Sequence, residues 1–183
     1  MTLQESRYTK EQRTYITQTP KLSQRKRGRL IYIRLETLLK AQDFRGADLE
    51  TDKVMLAVAN RQSEGYLREE DAENFPCKEL RTIDNLWLKY SKGKFGISVQ
   101  QKIYKNLGGT KQFDGKVWES FGDRIGWRSG GSWLNNRDLN FSLSAPTGQL
   151  PHVGVLGFLV DGGAGRGYFG GWAYFPPVKT CRV

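Results

Sequence analysis

The chain has little of the equipment that catalytic and metal-binding sites use. It holds one histidine, His152, and two cysteines, Cys77 and Cys181, among 183 residues. A single imidazole with no nucleophile at a recognisable spacing forms no triad or general-base constellation. The carboxylates sit mostly on charged helix faces, so no acid–base pair stands out, and no group of residues has metal-ligand spacing. His152 is therefore expected at the surface. The cysteines lie far apart in sequence and fit no metal or redox spacing, which sets the expectation of two reduced thiols in an intracellular protein. No apolar run approaches the roughly 18 residues that a membrane span needs, and no h-region follows Met1. The sequence thus points away from an enzyme, a metalloprotein and a membrane-spanning chain.

What is present is basic charge, unevenly spread. The formal net charge is +10. Residues 1–29 carry eight basic groups (Arg7, Lys10, Arg13, Lys21, Arg25, Lys26, Arg27 and Arg29) against Glu5 and Glu11, eight minus two, so +6 of the +10 lies there. This stretch has almost no apolar periodicity and reads as a flexible arm. Its run Gln24-Arg25-Lys26-Arg27-Gly28-Arg29 reads first as a solvated tail that keeps the chain soluble, and it also suits an anionic membrane surface or a phosphate backbone. Nucleic acid is the weaker reading, since no aromatic residue lies within that run to build the stacking platform of single-strand readers.

From Leu30 the pattern turns helical, and residues 30–151 read as one all-α domain, a compact bundle of short helices. Ile31, Leu35, Leu38 and Leu39 share a face. Asp43 caps a second helix whose stripe is Phe44, Ala47, Thr51, Val54, Met55 and Val58, ending near Asn60. Residues 61–74 are polar and read as a loop. After Phe75-Pro76, the residues Leu80, Ile83, Leu86, Trp87 and Tyr90 line a third helix that Gly93 ends. Lys94-Phe95-Gly96 make a tight corner. Ser98 with Gln101 reads as a capping box opening a helix through Ile103, Tyr104 and Leu107. Asp114 caps another, with Val117, Trp118 and Phe121 apolar. Arg128 to Ser132 is a polar loop, and Trp133 to Phe141 has no regular pattern.

Residues 152–183 form a Gly- and aromatic-rich extension, in which Val155 to Val160 fits a strand or a covering segment. Gly165-Arg166-Gly167-Tyr168-Phe169-Gly170 matches a dinucleotide fingerprint by letter. That motif needs a following helix and an acid some 20 residues on, and here Trp172 and Pro176-Pro177 follow, so chain reversal explains the glycines. The glycosylation sequon Asn140-Phe141-Ser142 is incidental without a secretory signal.

Two phrases carry a family resemblance. The first runs Phe75-Pro76-Cys77-Lys78-Glu79-Leu80-Arg81-Thr82-Ile83-Asp84-Asn85-Leu86-Trp87 and on through Ser91-Lys92-Gly93-Lys94-Phe95-Gly96-Ile97-Ser98-Val99-Gln100. The second is Ile125-Gly126-Trp127 followed by Ser144-Ala145-Pro146-Thr147-Gly148-Gln149-Leu150-Pro151. In this order they resemble the "genomes uncoupled four" family of porphyrin-binding magnesium chelatase accessory proteins, which usually has Phe where Ile97 stands and His where Gln149 stands.

The resemblance implies a non-enzymatic tetrapyrrole-binding protein, with protoporphyrin IX or Mg-protoporphyrin IX as a non-covalent ligand. It implies a magnesium chelatase subunit as partner, a monomeric state, and a cyanobacterial cytoplasm or plastid stroma, peripheral to the thylakoid membrane. The ligand would be cupped by two loops, here residues 61–74 and 128–137. The ligand-binding residues so implied are Tyr66, Leu67, Ala72, Phe75, Trp127, Arg128, Trp133, Leu134, Phe141 and Val153. Glu69 replaces a large apolar residue of the family, and Asn135-Asn136 replaces a loop aromatic. Gly157 and Val160 stand where arginines would meet the ligand carboxylates, which leaves Arg128, Arg137 or Arg166 as substitutes. The alternative is a diverged domain of the same fold that serves as an interaction or sensing module without porphyrin.

Overall fold

The computed structural model describes residues 24–110, 112–152 and 181. Within them the elements are α1 (Gln24–Lys40), α2 (Phe44–Val58), α3 (Glu69–Glu73), α4 (Cys77–Tyr90), α5 (Ile97–Asn106), α6 (Gly115–Ile125), β1 (Arg128–Ser129), β2 (Ser132–Trp133) and a 3-10 turn at Asn136–Asp138. The all-α reading holds, with one correction. The expected polar loop at 128–132 is a small antiparallel hairpin in which Arg128 pairs with Trp133 and Ser129 with Ser132. Gly130 and Gly131 both take positive φ, +57° and +81°, which is the backbone of a primed two-residue turn.

The helices stop where their sequence stops them. After α1, the Asp43 amide reaches back to Leu38 O and the Gln42 amide to Leu39 O, both 3.0 Å, a Schellman closure with Gln42 left-handed. The same closure ends α2 at Asn60 and α6 at Gly126, where the Trp127 amide donates to Gly122 O at 2.8 Å. Starts follow the caps read from sequence at Asp43, which accepts from the Gly46 amide, and at Asp114, which accepts from the Lys116 and Val117 amides.

Four other readings need correction. Helix α1 begins at Gln24, ahead of Leu30, and so takes in the basic run, because Lys, Arg and Gln are good helix formers even without an apolar stripe. The stretch 61–74 is not all loop, since α3 lies inside it. Ser98 and Gln101 form no capping box. Helix α5 starts two residues earlier than that cap implies, at Ile97 with Gly96 as its N-cap, and the Ser98 amide donates instead to Asp84 Oδ1 on α4 at 2.9 Å. Asp84 is buried, which raises its pKa. Cys77 and Cys181 are not free thiols but a disulfide.

Packing divides into two aromatic groups. Helices α1, α2 and α4 enclose Phe44, Trp87 and Phe95, whose ring centroids lie 5.5 to 6.4 Å apart. The buried Trp87 indole N–H donates to Thr51 Oγ1 at 3.0 Å, so its polar atom is satisfied inside the core. Helices α5 and α6 and the hairpin gather Tyr104, Trp118, Phe121, Trp127 and Trp133. Leu35, Leu39, Met55, Leu80, Ile83 and Ile125 complete the interior.

Candidate functional site

The site region is a frame and what the frame displays. The frame is made by the two sequence phrases described above. Gly96 N–H donates to Leu150 O at 3.0 Å, and Gly148 N–H donates to Lys94 O at the same distance. The Gln100 side chain, with no exposure, gives its amide N–H groups to Gly148 O (2.8 Å) and Pro151 O (3.0 Å). Trp127 Nε1 donates to Gln149 O at 2.7 Å. The Gln149 side chain closes the ring, donating to Gly126 O at 2.8 Å and accepting from the Asn140 amide at 3.2 Å. A neutral histidine also offers one donor and one acceptor, which is the chemistry needed at this position. The frame thus clamps both ends of residues 126–140.

Between those clamps the chain holds out the hairpin and the 3-10 turn. Trp133 lies across the backbone of α6 at Gly122, where an added Cβ would fall 2.6 Å from the indole ring. It is half-buried, as are Leu134 and Phe141. The Arg45 guanidinium of α2 stacks 4.2 Å from the Phe141 ring centroid and donates to Arg137 O at 3.5 Å. The Arg137 side chain is 82% exposed, and among the described residues its ion-pair partner is Asp138 at 4.0 Å. Arg128 is spoken for: its guanidinium reaches Asp123 at 3.1 Å, Glu119 at 3.6 Å and Gly131 O at 2.9 Å.

Beneath the turn lies a buried polar knot. Asp48 of α2, 1% exposed, accepts from the His152 backbone N–H at 2.5 Å and from Asn136 Nδ2 at 3.1 Å. Burial, reinforced by nearby Asp52, pushes its pKa up to about 8 despite those two bonds. His152 is not at the surface as expected. Its ring is buried edge-on to Trp127, centroids 4.9 Å apart, and desolvation lowers its pKa to about 4, so the imidazole is neutral.

The other loop is stiffened by Asp71. Arg61 meets its carboxylate through two nitrogens, each at 3.0 Å, and Arg68 adds its backbone N–H at 3.0 Å and its Nε at 3.2 Å. Tyr66 is half-buried there, while Leu67, Ala72 and Phe75 lie in the core. An open cavity of about 390 Å³ beside this loop is lined by Val58, Ala59, Glu70, Asp71, Asn74 and Pro76.

Among the residues expected to bind a ligand, the structure brings Trp133, Leu134 and Phe141 to one partly exposed segment. Trp127, Leu67, Ala72 and Phe75 are packed inside, and Arg128 is paired on α6. Val153, Gly157, Val160 and Arg166 lie outside the described residues. Sequence reasoning missed Arg45, Asp48 and Asn136. Asp48 carried a signal: it sits on the same helical face as Phe44, Thr51 and Met55, where an acid needs a buried partner.

A cyanobacterial Ycf53-like protein from Synechocystis is 37% identical over 128 residues, covering 68% of this chain and 52% of its own length. The Arabidopsis thaliana protein named "Tetrapyrrole-binding protein, chloroplastic" is 39% identical over 72 residues, covering 38% of this chain and 27% of its own length. The chain spans about half the length of the Synechocystis relative or less of the Arabidopsis one. Among solved structures, ligand-free Arabidopsis thaliana GUN4 superposes with a TM-score of 0.58 at 29% identity, over 66% of this chain and 80% of that one. GUN4 from Chlamydomonas reinhardtii shares the fold, with a TM-score of 0.61 at 23% identity over 88% of this chain and 92% of that one. With the family's pattern matched across residues 25–159 of 183, the chain belongs to the GUN4-like family.

Proposed function

We propose that the chain binds a cyclic tetrapyrrole, protoporphyrin IX or its magnesium form, performs no chemistry on it, and acts on magnesium chelatase by delivering substrate or accepting product. The observation that carries this reading is the segment 133–141, where Trp133, Leu134 and Phe141 are each only partly buried, the Arg45 guanidinium lies over the Phe141 ring and Arg137 is exposed. A porphyrin needs both, an apolar surface for its flat face and cations at the rim for its two carboxylates. Arg137 is the cation with least to lose by pairing, since it is exposed and only loosely held. Membership in a family that includes a named tetrapyrrole-binding protein supports the same reading. Titrating the full chain with each porphyrin should shift the Soret band and quench tryptophan emission at micromolar ligand. The same chain added to magnesium chelatase should raise its turnover. No spectral change at micromolar ligand overturns the binding claim.

A second reading has its own support. Arg128 is committed to Glu119 and Asp123, and Gly157 and Val160 can carry no charge. A domain that kept the fold but lost the ligand would look like this, acting through a protein partner. Capture of a partner other than chelatase by a chain that leaves the porphyrin spectrum untouched would favour it.

A further inference from the structure

The turn that carries Arg137 is too short to hold itself in place. It spans Asn136–Asp138, and its backbone closes with Asp138 N–H to Asn135 O at 2.9 Å and Leu139 N–H to Asn136 O at 3.2 Å. A 3-10 piece of this length has poor hydrogen-bond geometry and needs ties from outside. Two come from α2, on residues three apart and so neighbours along that helix. Arg45 donates to Arg137 O at 3.5 Å, a long bond, and Asp48 Oδ2 accepts from Asn136 Nδ2 at 3.1 Å. Asn136 Nδ2 also lies 3.5 Å from His152 Nδ1.

Asp48 is costly where it stands. It is 1% exposed, on the face of α2 that also buries Phe44, Thr51 and Met55, where an apolar side chain would pack without a desolvation penalty. Its other oxygen takes the His152 backbone N–H, so one carboxyl joins α2, the turn and the chain just past Pro151. With its pKa pushed up to about 8, the group carries its proton at neutral pH. The tie survives in both states, because the Asn136 amide offers its nitrogen to a carboxylate or, turned over, its oxygen to a carboxyl O–H. In a 3-10 turn successive side chains point about 120° apart. Asn136 drawn inward onto Asp48 therefore sends Arg137 outward, and the Arg137 side chain is 82% exposed.

We propose that Asp48 is the positioning residue of this site: by holding Asn136 it fixes the turn and aims Arg137 at a carboxylate of the bound ligand. The identity of that ligand rests on the tetrapyrrole reading, whereas the tie does not. Asp48 is too deeply buried to meet the ligand and acts through Asn136. A turn ordered beforehand spares the ligand that cost on binding.

Amide hydrogen exchange on the full chain reads the tie with no ligand present. In Asn136→Ala, exchange at Asp138 and Leu139 should quicken about tenfold or more, while the Ile83 and Trp87 amides of α4 stay within about twofold. Asp48→Ala should quicken the same two turn amides, and Asn136→Ala supplies the readout if that variant folds poorly. Asp48→Asn keeps a donor for the Asn136 oxygen and an acceptor for the His152 N–H, so the turn amides should stay within about twofold of wild type. Titration with protoporphyrin IX then reads the aim. Arg137→Ala should weaken binding about fivefold in the wild-type chain but less than about twofold in the Asn136→Ala background, since an arginine no longer aimed has little left to lose. If wild type binds no porphyrin, the tetrapyrrole reading falls and exchange alone decides the tie. Turn amides indifferent to Asn136→Ala overturn the proposal, as does Asp48→Asn exchanging as fast at the turn as Asp48→Ala, or an Arg137 effect undiminished by Asn136→Ala.

Discussion

Gln149 offers the sharpest test of how the frame works, because its side chain makes one bond as donor and one as acceptor. It donates to Gly126 O at 2.8 Å and accepts from the Asn140 amide at 3.2 Å, and it is 3% exposed. Gln149→Leu keeps the volume and removes both bonds. Each backbone group left without a partner in a buried place costs about 1–3 kcal/mol. Asn140 is exposed enough to recover water, so the lower part of the combined range applies, about 2–3 kcal/mol. Gln149→His preserves one donor and one acceptor and should stay within about 1 kcal/mol of the wild type. Urea unfolding measures both. With a slope of about 2 kcal/mol/M, the Leu variant's midpoint should fall by about 1–1.5 M at unchanged slope, and the His variant's by about 0.5 M or less. A Leu variant as stable as wild type, or a His variant as weak as the Leu variant, refutes the reasoning.

Two further outcomes follow from buried groups. Asp48 holds its proton in the folded chain up to about pH 8 but loses it near 3.8 when unfolded, so it takes stability away as pH rises between those values. His152 acts oppositely between about 4 and 6.5, because there the unfolded chain gains a proton that the folded chain refuses. Below pH 6.5 the two oppose each other. From 6.5 to 8 Asp48 acts alone of the pair, and thermal or urea unfolding should show a loss of about 2 kcal/mol that Asp48→Asn flattens. Gly96→Ala should cost about 2–4 kcal/mol by chemical denaturation, since its Cβ would fall 2.7 Å from Asp84 Oδ1 at φ +146°; an unchanged midpoint would contradict the cap that Asp84 gives α5.

The helices were legible because their signals are local. The stripe from Phe44 to Val58 and the caps Asp43 and Asp114 all act within one or two turns, and they appear in the structure where the sequence puts them. What escaped is long-range. Ser98 looked like a cap from its neighbours, but its own amide is satisfied by Asp84 from another helix. His152 looked like a surface residue because the Asp48 carboxylate that binds its backbone is 104 positions away. The cysteine pair spans an equal separation, and spacing alone cannot pair distant thiols. The hairpin had a signal, Gly130-Gly131 between Ser129 and Ser132, but its strands of two residues are too short to show alternation. The two family phrases were readable as words. Their purpose, to clamp residues 126–140 through Gln100, Gln149 and Trp127, needed the fold.

The central claim is that the segment between those clamps holds a porphyrin. Its most direct test is the dissociation constant for protoporphyrin IX, read from Soret titration, of wild type against Trp133→Ala and Arg137→Ala. The account expects saturable micromolar binding by wild type, weakened about tenfold or more by loss of the indole surface and measurably by loss of the cation. Equal affinity in all three proteins, or none in any, contradicts it.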